Sequence, residues 1–110
     1  MLLSIIRLYP SPGNEYAVID VLNSMKGPIS ASSDCIDVLV LAESSGEGGI
    51  CYLERWRTRE GLDRHLRSNL YSRVLEAMEL SFSPPTVEFY EISSIGGMEC
   101  IEQARLFQLR

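Results

Sequence analysis

The chain is short of cations, cysteines, imidazoles and long apolar runs, and each shortage closes a class of function. Ten Lys and Arg stand against fifteen Asp and Glu, a formal net charge of −5. That balance argues against a nucleic-acid partner, because binding to the phosphate backbone depends on neutralising it with basic side chains. No apolar run reaches the ~18 residues of a membrane-spanning helix. The opening Met1-Leu2-Leu3-Ser4-Ile5-Ile6 lacks a basic start and runs at once into a Pro-rich turn, unlike a signal core. The three cysteines, Cys35, Cys51 and Cys100, have no metal-type spacing, and their odd number argues against a disulfide framework. A reducing cytoplasm is expected, with all three as small buried hydrophobes. With one His in the chain, neither a closed zinc site nor a two-His-one-carboxylate iron set is available, so no metal is expected. There is no Gly-Lys-Ser/Thr phosphate loop and no Gly-x-Ser-x-Gly elbow. Gly46-Glu47-Gly48-Gly49-Ile50-Cys51 has Cys where a dinucleotide fingerprint needs its third Gly, and it leads into a strand, so it reads as a hairpin turn.

What is present suits one globular domain of 110 residues. Leu2 to Leu8 reads as a strand, ended by Tyr9-Pro10-Ser11-Pro12-Gly13. Asn14 is a candidate N-cap for a helix from Glu15 to Lys26, with Val18, Val21, Leu22 and Met25 at helical spacing and Gly27-Pro28 as its stop. Ser30 to Ser33 reads as loop. The β-branched run Cys35 to Ala42 predicts a strand, joined through a hairpin at Ser44 to Gly49 to a strand Ile50 to Arg57. A helix begins near Thr58 and breaks near Ser68-Asn69, and a second helical piece carries Leu70, Val74, Leu75 and Met78. Ser83-Pro84-Pro85 terminates it, and Thr86 to Ile92 is the last strand. The order βαββαβ predicts an α+β, ferredoxin-like domain over residues 1–95: a four-stranded antiparallel sheet with its helices on one face. Residues 96–110, with Met98, Ile101, Ala104 and Phe107, predict a C-terminal extension, a short helix or arm docked on the sheet edge or on a partner.

Two strands are apolar on both sides, which a half-solvated antiparallel sheet does not require. Leu3 and Ile5 oppose Leu2, Ile6 and Leu8; Ile36, Val38, Val40 and Ala42 oppose Cys35, Leu39 and Leu41 with a single Asp37. Helices cover one face, so a second copy is expected on the other, in a two-fold homodimer.

Chemistry concentrates in Tyr52-Leu53-Glu54-Arg55-Trp56 and the helix that follows. Tyr52, Glu54 and Trp56 alternate onto one strand face, and His65 shares a helical stripe with Leu62 and Leu66. Read alone, His65 is a hydrogen-bonded core imidazole or a catalytic one, and Trp56 a core residue or a stacking wall. Glu54 beneath the helices needs a cation or donor, for which Arg7, Arg64 and His65 are candidates. Six of the ten basic residues fall between Arg55 and Arg73, as a solvated helix face or an anion-steering rim.

The strand ending Glu54-Arg55-Trp56, the helix with His65-Leu66 and then Ser68, the strand Pro84-Pro85-Thr86-Val87-Glu88-Phe89-Tyr90 and the βαββαβ order resemble the antibiotic biosynthesis monooxygenase family of dimeric α+β barrels. The resemblance covers roughly residues 2 to 93. It implies a cofactor-independent monooxygenase acting on a small aromatic, quinol- or anthrone-like molecule, with His65 and Trp56 catalytic and Tyr52, Glu54, Leu62 and Tyr71 around the substrate. In the family's haem-degrading branch an Asn of the first strand joins the Trp and His; here the nearest equivalent is Ile6. Many members carry Gly-Cys or a Gly-aromatic pair at the helix-to-strand turn, where this chain has Asp34-Cys35. The alternative is a non-catalytic ligand-binding or dimerisation module of the same fold.

Overall fold

A computed structural model describes residues 1–44 and 49–108. The strands are β1 (Leu2–Leu8), β2 (Cys35–Ala42), β3 (Ile50–Trp56) and β4 (Thr86–Glu91). They form one antiparallel sheet in the order β2-β3-β1-β4. Helices α1 (Glu15–Ser24), α2 (Lys26–Ser30), α3 (Arg59–Arg67) and α4 (Ser72–Glu79) lie over one face, and α5 (Met98–Gln108) follows β4. This is the ferredoxin-like α+β arrangement expected. Of the β2–β3 turn, residues 45–48 lie outside the described residues.

Register sorts the sheet into two faces. Ser4, Ile6 and Leu8 of β1 sit beside Glu54, Tyr52 and Ile50 of β3, and all six are buried under the helices. Val18, Leu22, Met25, Ile29, Leu62, Val74 and Ala77 close over them from the helical layer. Each large apolar side chain buried this way contributes roughly 1.5–3 kcal/mol. The opposite face carries Leu3, Ile5, Cys51 and Leu53, with Leu39 and Leu41 still 44% and 49% exposed.

Three local expectations need correction. The residues Gly27-Pro28 do not end helical structure: α1 stops at Ser24, and α2 restarts at Lys26 with Pro28 inside it. Proline fits there because the early positions of a helix have no intrahelical acceptor for its missing N–H. In β2 a bulge between Cys35 and Asp37 makes Ile36 an extra residue, so Cys35 lies opposite Trp56 on the covered face and does not share a side with Leu39 and Leu41. Cys35 is buried, whereas Cys51 and Cys100 are only part-buried. The helix at the C-terminus forms, and its Met98, Ile101 and Leu106 are exposed in the single protomer.

Candidate functional site

The site forms where the end of β3 passes beneath α3. Thr58 starts the helix by accepting the Gly61 N–H on its side chain at 3.0 Å, a conventional N-cap bond. Gly61 then lets the first turn press onto the start of β2, since a Cβ there would lie 2.5 Å from the Asp34 Cβ. Arg64 clasps the Asp34 carboxylate at 2.6 Å. Leu62, His65 and Leu66 consequently face the sheet, with Leu62 and His65 buried.

Glu54 is the centre of the constellation and is fully buried. Its Oε2 accepts from the Tyr52 hydroxyl at 2.6 Å and lies 2.8 Å from His65 Nε2, while Oε1 accepts from the Trp56 indole N–H at 3.1 Å. A carboxylate that takes three donors inside a protein recovers much of its lost hydration. It also fixes the proton of a neutral imidazole on Nε2, because Glu54 is the acceptor. Among the described residues no hydrogen bond is made to His65 Nδ1.

Aromatic rings hold the imidazole in place. Trp56 stacks on it with centroids 4.8 Å apart and planes inclined by 27°, and Tyr71 meets it edge-on at 5.1 Å. Burial, then the nearby Glu54 charge, pushes the Tyr71 phenol up to about 12. The same two causes, in that order, hold the Tyr52 phenol far above its ordinary value. Both tyrosines therefore stay neutral at any physiological pH, Tyr52 as a donor to Glu54. Burial first, and Glu54 second, also raises the Cys35 thiol, which leaves that cysteine protonated and unreactive.

Of the three candidates for the cation or donor at Glu54, His65 is the partner. Arg7 lies on the opposite face, paired with Glu88 at 2.8 Å, and Arg64 is taken by Asp34. Trp56 is placed beside His65, but its indole N–H is spent on Glu54 and one ring face on the imidazole. Glu54 bonds both His65 and Trp56, and Tyr52 bonds Glu54, both sealed from solvent, whereas Leu62 lines a separate cleft on the other flank of α3. The hollow that reaches His65 has a volume of about 230 Å³ and lies between α2 and α3, walled by Pro28, Ile29, Trp56, Gly61, Arg64 and Leu70. The α2 contribution is missed from sequence because Gly27-Pro28 carries a stop signal. Ser4, buried beside Glu54 across the β1–β3 ladder, is missed because nothing distinguishes it from a solvent-facing serine in an alternating strand. No group of three or more His, Cys, Asp or Glu among the described residues converges to hold a metal. No helix there is long and apolar enough to cross a membrane.

Solved structures share this architecture. Rv0793 of Mycobacterium tuberculosis superposes with a TM-score of 0.76 at 27% identity, over 87% of this chain and 98% of its own. A protein of Deinococcus radiodurans, described as a candidate antibiotic biosynthesis monooxygenase, gives 0.77 at 17% identity over 89% and 98%. The protein NE2512 of Nitrosomonas europaea, of unknown function, gives 0.67 at 25% over 87% and 92%. No curated protein matches the chain. The family model for antibiotic biosynthesis monooxygenase matches residues 1–77, a span that includes the Glu54–Trp56–His65 cluster, and the chain belongs to that family.

Proposed function

We propose that the protein is a cofactor-independent monooxygenase of a small quinol- or anthrone-like aromatic, with His65 as general base. The observation that carries this reading is the Glu54–His65 pair at 2.8 Å, which leaves Nδ1 as the ring nitrogen without a partner on a residue that lines a cleft. Neutral His65 takes a proton from the substrate on Nδ1, and the resulting imidazolium is stabilised by Glu54 across Nε2. The substrate anion is electron-rich enough to pass an electron to dioxygen. The two radicals combine at carbon to a peroxide anion, which takes the proton back from the His65 imidazolium to become a hydroperoxide, and loss of water from a former CH₂ carbon leaves a carbonyl. The protein's part is the base, the fixed orientation and a site with little water. Trp56 and Tyr71 hold the imidazole, Glu54 orients it, and Tyr52 orients Glu54. Oxygen uptake with a panel of quinols and anthrones tests this: His65→Ala should lose about 10²-fold or more, and unchanged turnover would remove His65 from the role.

A second reading is favoured by a specific feature: Tyr52, Trp56 and His65 Nε2 all donate to Glu54, so the cluster offers few donors for a developing oxyanion. In that case the domain binds an aromatic ligand without consuming it. Thermal stabilisation by such ligands with no oxygen uptake in the wild type would support it.

We propose also that the working unit is a homodimer formed through the uncovered sheet face. A monomer would expose Leu3, Ile5, Leu39, Leu41 and Leu53 together, and soluble monomers seldom leave apolar patches beyond a few hundred Å². The exposed residues of α5 would find cover on the partner. Sedimentation at micromolar concentration should give the dimer mass.

A further inference from the structure

The helical layer stops short of the fourth strand. Val87 and Phe89 of β4 point to the same side as Ile6 and Ser4, yet Phe89 stays 46% exposed. Between this shelf and α3 lies a cleft of about 290 Å³, walled by Leu2, Leu62, Leu66 and Phe89, with Arg59 and Asp63 paired at its rim. It flanks α3 on the side away from the hollow at His65: Arg59, Leu62, Asp63 and Leu66 line this cleft, whereas Gly61, Arg64 and His65 line that hollow.

Beside the cleft is the Ser4 hydroxyl oxygen, the one side-chain N or O atom among the described residues that is wholly withdrawn from solvent and has no hydrogen-bond partner. Ser4 is 1% exposed. Register fixes its surroundings: Phe89 across one ladder, Glu54 across the other, and Leu2 two residues back on the same face. A hydroxyl withdrawn from water with no partner costs about 1–3 kcal/mol. Native structures retain few such groups, and an apolar residue in this strand position would avoid the cost. Ser4 does not line the cleft itself, but its ladder neighbour Phe89 does, and Phe89 is only half-buried.

We infer that the α3–β4 cleft is a ligand site and that Ser4 is its hydrogen-bonding end. The ligand class that fits is a small, largely apolar ring molecule carrying one hydroxyl or carbonyl oxygen. Its rings lie over Leu62 and Leu66, Phe89 swings aside, and its oxygen reaches the Ser4 hydroxyl. This site does not depend on turnover at His65, so oxygen-uptake results neither support nor defeat it.

The test compares 2-naphthol with naphthalene as probes, titrated under nitrogen into the full chain and followed by amide shifts in NMR spectra. The wild type should bind 2-naphthol saturably, with the largest shifts at Leu2, Leu66 and Phe89. Ser4→Ala should weaken 2-naphthol about three- to tenfold, the worth of one hydrogen bond, and leave naphthalene unchanged. Leu66→Trp, which fills the cleft, should abolish both. The inference is overturned if the wild type shows no saturable binding, if Ser4→Ala alters both probes equally or neither, or if the shifts centre on Ile29, Arg64 and His65.

Discussion

On the covered face of the sheet a carboxylate, a serine hydroxyl and a phenol sit out of water, while on the uncovered face Leu39 and Leu41 stand nearly half exposed between ion pairs. The same four strands carry both faces. On the covered side, Glu54 is tolerable because three donors meet it, and removing any of them would leave a charge or donor stranded. On the uncovered side, Arg55 with Asp37 and Arg7 with Glu88 are solvent-exposed pairs worth little to stability. The apolar residues between them gain nothing until another surface covers them. A sheet with polar groups inside and leucines outside fits the site proposed on the inside and the dimer interface proposed on the outside.

The sharpest test of that contrast exchanges the two faces residue by residue. Val38→Arg places an unpaired charge on the covered side, which costs several kcal/mol and should unfold the chain, as circular dichroism would show. Leu39→Arg, one residue on, should leave the protomer folded and dissociate the dimer in sedimentation. A folded Val38→Arg protein, or a Leu39→Arg protein that keeps the dimer mass, would break the comparison.

Within the covered face, Glu54→Ala should cost about 3–5 kcal/mol in urea unfolding, because it strands three buried donors at once. Glu54→Gln keeps an acceptor and should cost less while still reducing turnover, by removing the negative charge that stabilises imidazolium. Equal stability loss in the two variants would argue that shape, not charge, holds the cluster.

Tyr71 supplies a pH test. Its folded value is raised to about 12 from the ordinary phenol value of 10.0, so the unfolded chain loses the phenolic proton first. The stabilisation is whole below pH 10 and disappears as pH climbs from 10 towards 12. The loss is about 3 kcal/mol, given 1.36 kcal/mol for each unit. Urea unfolding between pH 9 and 12 should show a shallower alkaline decline in Tyr71→Phe than in the wild type.

The smallest effect has the opposite sign. Ser4→Ala removes an unpartnered buried hydroxyl and should stabilise the free protein by about 1 kcal/mol. A destabilised Ser4→Ala would mean that the hydroxyl is satisfied within the apo protein and that the polar cost assigned to the covered face is overstated.

Much of this arrangement is legible along the chain. The α3 helix is signalled by Thr58 at its N-cap and by Leu62, His65 and Leu66 on one stripe, and all three face inward as that period demands. Strict alternation puts Tyr52, Glu54 and Trp56 on a single side of β3. The bulge at Ile36 is not legible, since alternation read straight through Cys35 to Ala42 assigns Cys35 to the wrong side; a bulge follows from how two strands fit, which one strand's pattern does not encode. The short α2 is hidden by Gly27-Pro28, whose stop signal is overridden by the packing of Ile29 against the core.

By itself the sequence determined the βαββαβ order, the inward stripe of α3 and the excess of apolar residues over what one layer of helices can cover. These follow from periods of 2.0 and 3.6 residues, which are local properties of the chain. Only the tertiary structure decided that Glu54 pairs with His65 and not with Arg7 or Arg64, that the Trp56 N–H is spent inside the cluster, and that Ser4 is left without a partner. Those outcomes depend on distances between strands and helices far apart in sequence, and a hydrogen bond, unlike a hydrophobic period, is won or lost within a few tenths of an ångström.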